Sequence, residues 1–172
     1  MKTTPIQPLD PWEAYPNIDL YMDQVLGVID KQLSVYYRDP TDRVMTASMV
    51  NNYVKQQLLP PPVKKKYRRE QVTRLVMIGI LKQVLSIAQI GKLLDLLSEE
   101  NNGDDERQYN QFRDSLHQHF ERLWLPDENK IVDSRTFNDV SHILDFALIS
   151  FLARFEAASQ LDRLTLESED NS

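Results

Sequence analysis

The chain contains no cysteine. Disulfides, thiolate metal sites and thiol nucleophiles are excluded together. No apolar run approaches the roughly 20 residues that span a bilayer. The N-terminus lacks the basic-then-apolar pattern of a secretory signal. A cytoplasmic protein without membrane contact is therefore expected. Glycine is scarce, at 4 of 172 residues, too few for a fold rich in tight turns. The sequence has no glycine-rich phosphate loop, zinc-protease helix motif or nucleophile elbow. His117 and His119 stand two apart on a predicted helix, which turns them to different faces. The acidic residues are scattered. The expectation is a non-enzymatic protein with no catalytic residues, no metal site and no cofactor.

What the chain does have is segregated charge. The net charge is -6, but the sign is unevenly placed. From Arg43 to Lys92 there are ten basic residues and a single acid, Glu70, a net of +9. Residues 1–42 carry -4 and residues 93–172 carry -11. A basic block between two acidic ones is a local field suited to a polyanion, whatever the average says.

Hydrophobic spacing predicts helices almost throughout. Residues 1–16 read as an extended, proline-punctuated arm with Trp12 and Tyr15 as anchors. A helix capped by Asn17 or Asp19 runs to about Tyr37, its buried face built from Tyr21, Val25, Val28, Ile29, Leu33 and Tyr36. Thr46 or Ser48 caps a short helix through Val50, Tyr53 and Val54, stopped by Pro60-Pro61-Pro62. A helix from near Arg69 and another capped by Ser86 come next. The polar stretch 98–106 reads as a linker. Beyond it lie one helix carrying Tyr109, Phe112, Leu116, Phe120, Leu123 and Trp124, and a second starting at Ser134. The Phe146–Ala153 part of that last helix is apolar nearly all round, so its own domain or a second subunit must cover it. The tail 164–172 is acidic and expected to be disordered.

The stretch most suggestive of function is Met45 to Gln71. It holds a capped, acid-free helix with Thr46, Ser48, Asn51, Asn52, Tyr53 and Lys55, a Leu58-Leu59-Pro60-Pro61 turn, then Lys64, Lys65, Lys66, Tyr67 and Arg68. Asparagine pairs bidentately with adenine, and lysine or arginine binds guanine or phosphate. A short helix with such side chains and a free N-terminus suits a DNA groove. Tyr53 and Tyr67 are better suited to packing beside that surface than to base reading.

This run resembles the N-terminal DNA-binding domain of the MerR family. Tyr53 matches the aromatic of the recognition helix, Leu58-Leu59-Pro60-Pro61 the turn, and Tyr67 the wing tyrosine. Leu75, Ile78, Ser86-Ile87, Ile90 and Leu93-Leu94 match the helices that close the domain. More narrowly, the chain resembles a bacterial family of unknown function related to MerR that shares the Asn-Asn-Tyr-Val-Lys core. Asn51 stands where MerR proteins usually have arginine, and Gln57 where they have glycine. The wing between Pro62 and Tyr67 is too short for a full hairpin.

The resemblance implies an all-α protein: a MerR-like winged helix-turn-helix head at 17–97, core 45–94, with a shortened wing, and a helical body at 107–163 for dimerisation or regulation. The implied function is duplex DNA binding in transcription regulation, through the helix at 46–56 and the basic turn at 62–69. A homodimer through the C-terminal helices is expected, because one short helix reads few base pairs; no particular small-molecule effector is implied. The competing expectation is a protein-interaction adaptor whose basic face docks an acidic protein.

Overall fold

The computed structural model describes residues 9–37, 44–124 and 140–169. Among them are six helices, α1 (Met22–Leu33), α2 (Ala47–Lys55), α3 (Arg69–Leu81), α4 (Ile87–Glu100), α5 (Asp105–Trp124) and α6 (Val140–Glu169). A small antiparallel sheet joins β1 (Leu20–Tyr21) to β2 (Lys66–Tyr67). The protein is thus mostly helical, as expected, but not purely so. No helix among the described residues is long and apolar enough to cross a membrane.

α3 is the central helix. Ten of its residues, from Gln71 to Leu81 with only Arg74 left out, are buried, because α1, α5 and α6 all pack against it. Gly79 sits where α1 crosses: a Cβ there would meet Leu33 Cδ1 at 2.3 Å. The glycine leaves room for the Leu33 side chain, which would have to shift to admit a methyl group. The Tyr37 hydroxyl donates to the Gly79 carbonyl at 2.8 Å and closes the same crossing.

The helix starts reflect local chemistry. Thr46 caps α2 by accepting from the Met49 amide at 3.2 Å, so Thr46 and not Ser48 is the cap. Ser86 and Gln89 cap α4 reciprocally, the hydroxyl accepting from the Gln89 amide and the Gln89 side chain accepting from the Ser86 amide. α1 begins later than the sequence suggests. Tyr21 belongs to β1 and is exposed, whereas Val25, Ile29, Leu33 and Tyr36 form the buried face as expected. The period-3.6 pattern included Tyr21 because a two-residue strand leaves no periodic trace.

The N-terminal arm is anchored. Trp12 and Tyr15 are buried, and the Tyr15 and Tyr109 hydroxyls lie 2.7 Å apart. Tyr109 donates to the Asp10 carbonyl at 2.8 Å, and Arg113 Nε to the Leu9 carbonyl at 2.8 Å. The arm is thereby tied to α5. The 98–106 stretch holds the end of α4, a tight turn and the start of α5. The turn closes with Gly103 N–H on the Ser98 carbonyl and Asn102 N–H on the Glu99 carbonyl, the Schellman pattern.

Head and body share one apolar cluster, from Leu9 to Leu152. On α6, Leu144, Leu148, Phe151 and Leu152 face inward, and Phe151 lies 5.8 Å from the Tyr36 ring. The chain itself covers that face. Ile143 and Phe146 remain half exposed on the outside. α6 continues to Glu169, so the first part of the 164–172 tail is helical, contrary to expectation. A helix already begun adds further residues at little cost. Arg43, the residues 134–139 expected to begin the last helix, and the side chains of Leu123 and Trp124 lie outside the described residues.

Candidate nucleic-acid interface

α2 is amphipathic in a simple way. Val50 and Tyr53 are buried, while Ser48, Asn51, Asn52 and Lys55 are exposed. The exposed four are spaced i, i+3, i+4 and i+7, so they form one polar stripe. Asn52 Oδ1 accepts weakly from Gln56 Nε2 at 3.4 Å. Tyr53 is withdrawn from this face. Its carbonyl accepts from the Leu58 and Leu59 amides, and burial raises its phenol pKa. Tyr53 holds the helix down and presents nothing to a ligand.

The helix ends in a Schellman turn. Leu58 N–H reaches the Tyr53 carbonyl at 2.9 Å and Gln57 N–H the Val54 carbonyl at 3.1 Å. The turn requires Gln57 to adopt a φ of 59°. The chain here needs the conformation that glycine adopts without strain.

Two side chains of α3 fix the segment between α2 and α3. Gln71, buried, donates to the carbonyls of Pro60 (2.8 Å) and Pro61 (3.3 Å) and accepts from the Arg68 amide at 2.9 Å. It therefore clamps both ends of the 60–68 segment. Arg74 Nε donates to the Leu58 carbonyl at 2.8 Å, and its other arm lies 3.6 Å from Asp95.

The 62–67 segment forms a complete hairpin despite its length. Val63 and Lys66 exchange both backbone hydrogen bonds, at 3.0 and 2.9 Å. Between them Lys64 and Lys65 have φ of 50° and 64°. Both central residues are left-handed, which is the condition of a two-residue type I′ turn. The expectation of a wing too short for a hairpin is corrected: a two-residue connection suffices when both residues adopt positive φ. β2 then pairs with β1, Leu20 opposite Tyr67 and Tyr21 opposite Lys66. The segment before α1 thus supplies another strand to the hairpin. Tyr67 is buried with Leu20, so it packs and does not face solvent.

The basic block is smaller at the surface than in the sequence. Arg74 is a half-buried strut, its pKa lowered by desolvation. Lys82 Nζ donates to the Val44 carbonyl and stacks on Tyr37. Arg69 lies over the Trp12 ring. Lys55, Lys64, Lys65 and Arg68 are exposed, with Lys66 partly so. These five are the site cations expected from sequence. Sequence reasoning missed Gln71, Arg74 and Tyr21. Gln71 stands three residues after Arg68, the N-cap-to-N3 spacing of a capping box, which was the available signal.

Among the described residues no group of three or more His, Cys, Asp or Glu could hold a metal. His117 and His119 do not converge. His119 is buried and bonds Asp145 at 2.8 Å, joining α5 to α6.

No curated protein and no solved structure matches the chain. One family model does, over residues 10–116, which takes in the arm from Asp10, the α2 stripe, the Val63–Lys66 hairpin and the first part of α5. The chain belongs to that family, described as a domain of unknown function (DUF1836).

Proposed function

We propose that this protein binds duplex DNA as a winged-helix reader of the MerR-like kind, with the α2 stripe toward the bases and the Lys64-Lys65 turn on the phosphate backbone. One observation carries the reading. Two lysines occupy the two positive-φ positions of the wing turn, where Asn-Gly would sit without strain. Each left-handed non-glycine residue costs roughly 1–2 kcal/mol. Strain of that kind clusters at ligand-contacting sites, and two strained positions side by side at an exposed tip are the ground for the proposal. Two exposed cations at a hairpin tip suit a phosphate strand.

The α2 stripe supports the same reading. Asn51 and Asn52 present amide donors and acceptors and no acid interrupts them on the helix that Thr46 caps. A bidentate amide contact discriminates bases by about 1–3 kcal/mol. Regulation of transcription is the role such a reader would serve.

The test is replacement of Lys64-Lys65 by Asn-Gly, which keeps the turn and removes two charges. Duplex affinity is measured by anisotropy over a range of salt. The expected variant is more stable and binds less tightly, with the salt slope lowered by about two units, one per lost phosphate contact. Equal affinity and slope in variant and parent would falsify the reading. Tight binding to an acidic protein with no retention on duplex would favour an adaptor instead.

A further inference from the structure

The mini-sheet of the wing has two faces. Directly opposite residues of an antiparallel pair project to the same side, and successive residues to opposite sides. Leu20 and Tyr67, opposite each other, are buried at 5% and 2%. Tyr21 and Lys66 therefore share the outer face. Val63, bridged to Lys66, joins them there. The outer row thus runs Tyr21, Lys66, Val63. Tyr21 is 50% exposed and Val63 55%. Lys66 Nζ stands 4.9 Å from the Tyr21 ring centroid.

This row is an aromatic ring and a branched aliphatic side chain flanking a cation, next to the turn that carries Lys64 and Lys65. The Tyr21–Lys66 pair helps tie the two strands, but it leaves about half of the Tyr21 and Val63 side chains open to solvent. A partner of matching character has apolar and anionic elements in alternation. The edge of a duplex strand has both, in its deoxyribose rings and its phosphates, and the lysines select it over a neutral apolar surface by charge.

We propose that Tyr21 is a DNA-contacting residue, its ring and Val63 packing on the deoxyriboses of the strand whose phosphates Lys64 and Lys65 hold. The inference rests on the duplex-binding reading above and deepens it. It adds a contact from outside the basic run, on a strand that precedes α1. The arrangement also gives β1 a purpose: pairing with β2 sets the ring beside the turn. The ring contact is apolar, so it adds affinity without releasing counterions.

Three variants test this, Tyr21→Ala, Tyr21→Phe and Val63→Thr, each checked for melting temperature and for protection of the Tyr67 amide from hydrogen exchange. Duplex binding is then titrated against salt beside the Lys64-Lys65 variant. Tyr21→Ala is expected to weaken binding about fivefold or more, the scale of a contact that matters in an alanine scan, with an unchanged salt slope. Tyr21→Phe is expected to bind like the parent, and Val63→Thr to fall between. Parent-like affinity for Tyr21→Ala, with the lysine variant weakened, overturns the inference and leaves the duplex reading standing. So does a fall in salt slope for Tyr21→Ala, which would route the loss through Lys66. A Tyr21→Phe defect as large as that of alanine also overturns it, by assigning the contact to the hydroxyl. Absence of duplex binding by the parent protein removes the duplex reading itself.

Discussion

The carboxamide of Gln71 donates to the Pro60 carbonyl at 2.8 Å while its oxygen accepts the Arg68 amide at 2.9 Å. One buried side chain thus holds the two ends of the 60–68 hairpin segment to α3. Replacing Gln71 with alanine removes these bonds and the longer one to the Pro61 carbonyl. The partners left behind belong to exposed residues that water can reach, so each lost bond costs its net worth of about 0.5–1.5 kcal/mol, and urea denaturation should show a loss of about 1–3 kcal/mol. The Arg68 amide should also exchange with solvent faster. Gln71→Glu keeps the acceptor and loses the donor, so it should protect Arg68 yet release the prolines. If alanine leaves the denaturation midpoint unchanged, the clamp contributes nothing.

Gln57 closes α2 with a φ of 59°. Glycine adopts this conformation freely, and a β-carbon opposes it by roughly 1–2 kcal/mol. Part of that gain is returned by the greater freedom of glycine in the unfolded chain. Gln57→Gly should therefore raise stability by about 0.5–1 kcal/mol, read as an upward shift in melting temperature. A downward shift would mean that the Gln57 side chain holds something the backbone angle does not reveal.

Much of the scaffold was legible because it is periodic. Val25, Ile29 and Leu33, or Ile90, Leu93, Leu94 and Leu97, repeat at helical spacing and are buried. Thr46 and Ser86 announce their helices by chemistry alone. The hairpin was harder to read. Two-residue strands have no period, and Lys64-Lys65 lacks the Asn-Gly signature of the turn it makes. Tyr21 was assigned to a helix face for the same reason. The basic count also misled about the surface. Arg74 and Lys82 are cations in the sequence but struts in the fold, and only the positions of Leu58 and Val44 reveal that. Of the expected site residues, Ser48, Asn51, Asn52, Lys55, Lys64, Lys65 and Arg68 are exposed, Thr46 and Lys66 are partly so, and Tyr53 and Tyr67 are buried.

The two sides of α6 make opposite predictions. Phe151 is 1% exposed and lies against the buried Tyr36 ring, among Leu148 and Leu152. Removing a core phenylalanine costs about 3–5 kcal/mol, and an aspartate there adds an unpaired buried charge. Against the roughly 5–15 kcal/mol that holds a domain together, Phe151→Asp should abolish cooperative folding. It cannot report on self-association, because the unfolded chain would lose any interface with it. Ile143 lies on the outer side at 50% exposure. Ile143→Asp should change stability by no more than about 0.5 kcal/mol. The homodimer expected through this helix is therefore tested at Ile143, where fold and association separate. Circular dichroism should show Phe151→Asp unfolded and Ile143→Asp folded. Sedimentation of parent and Ile143→Asp at equal micromolar concentration then reads association alone. A folded, cooperative Phe151→Asp variant would contradict the packing of α6 against the rest of the core.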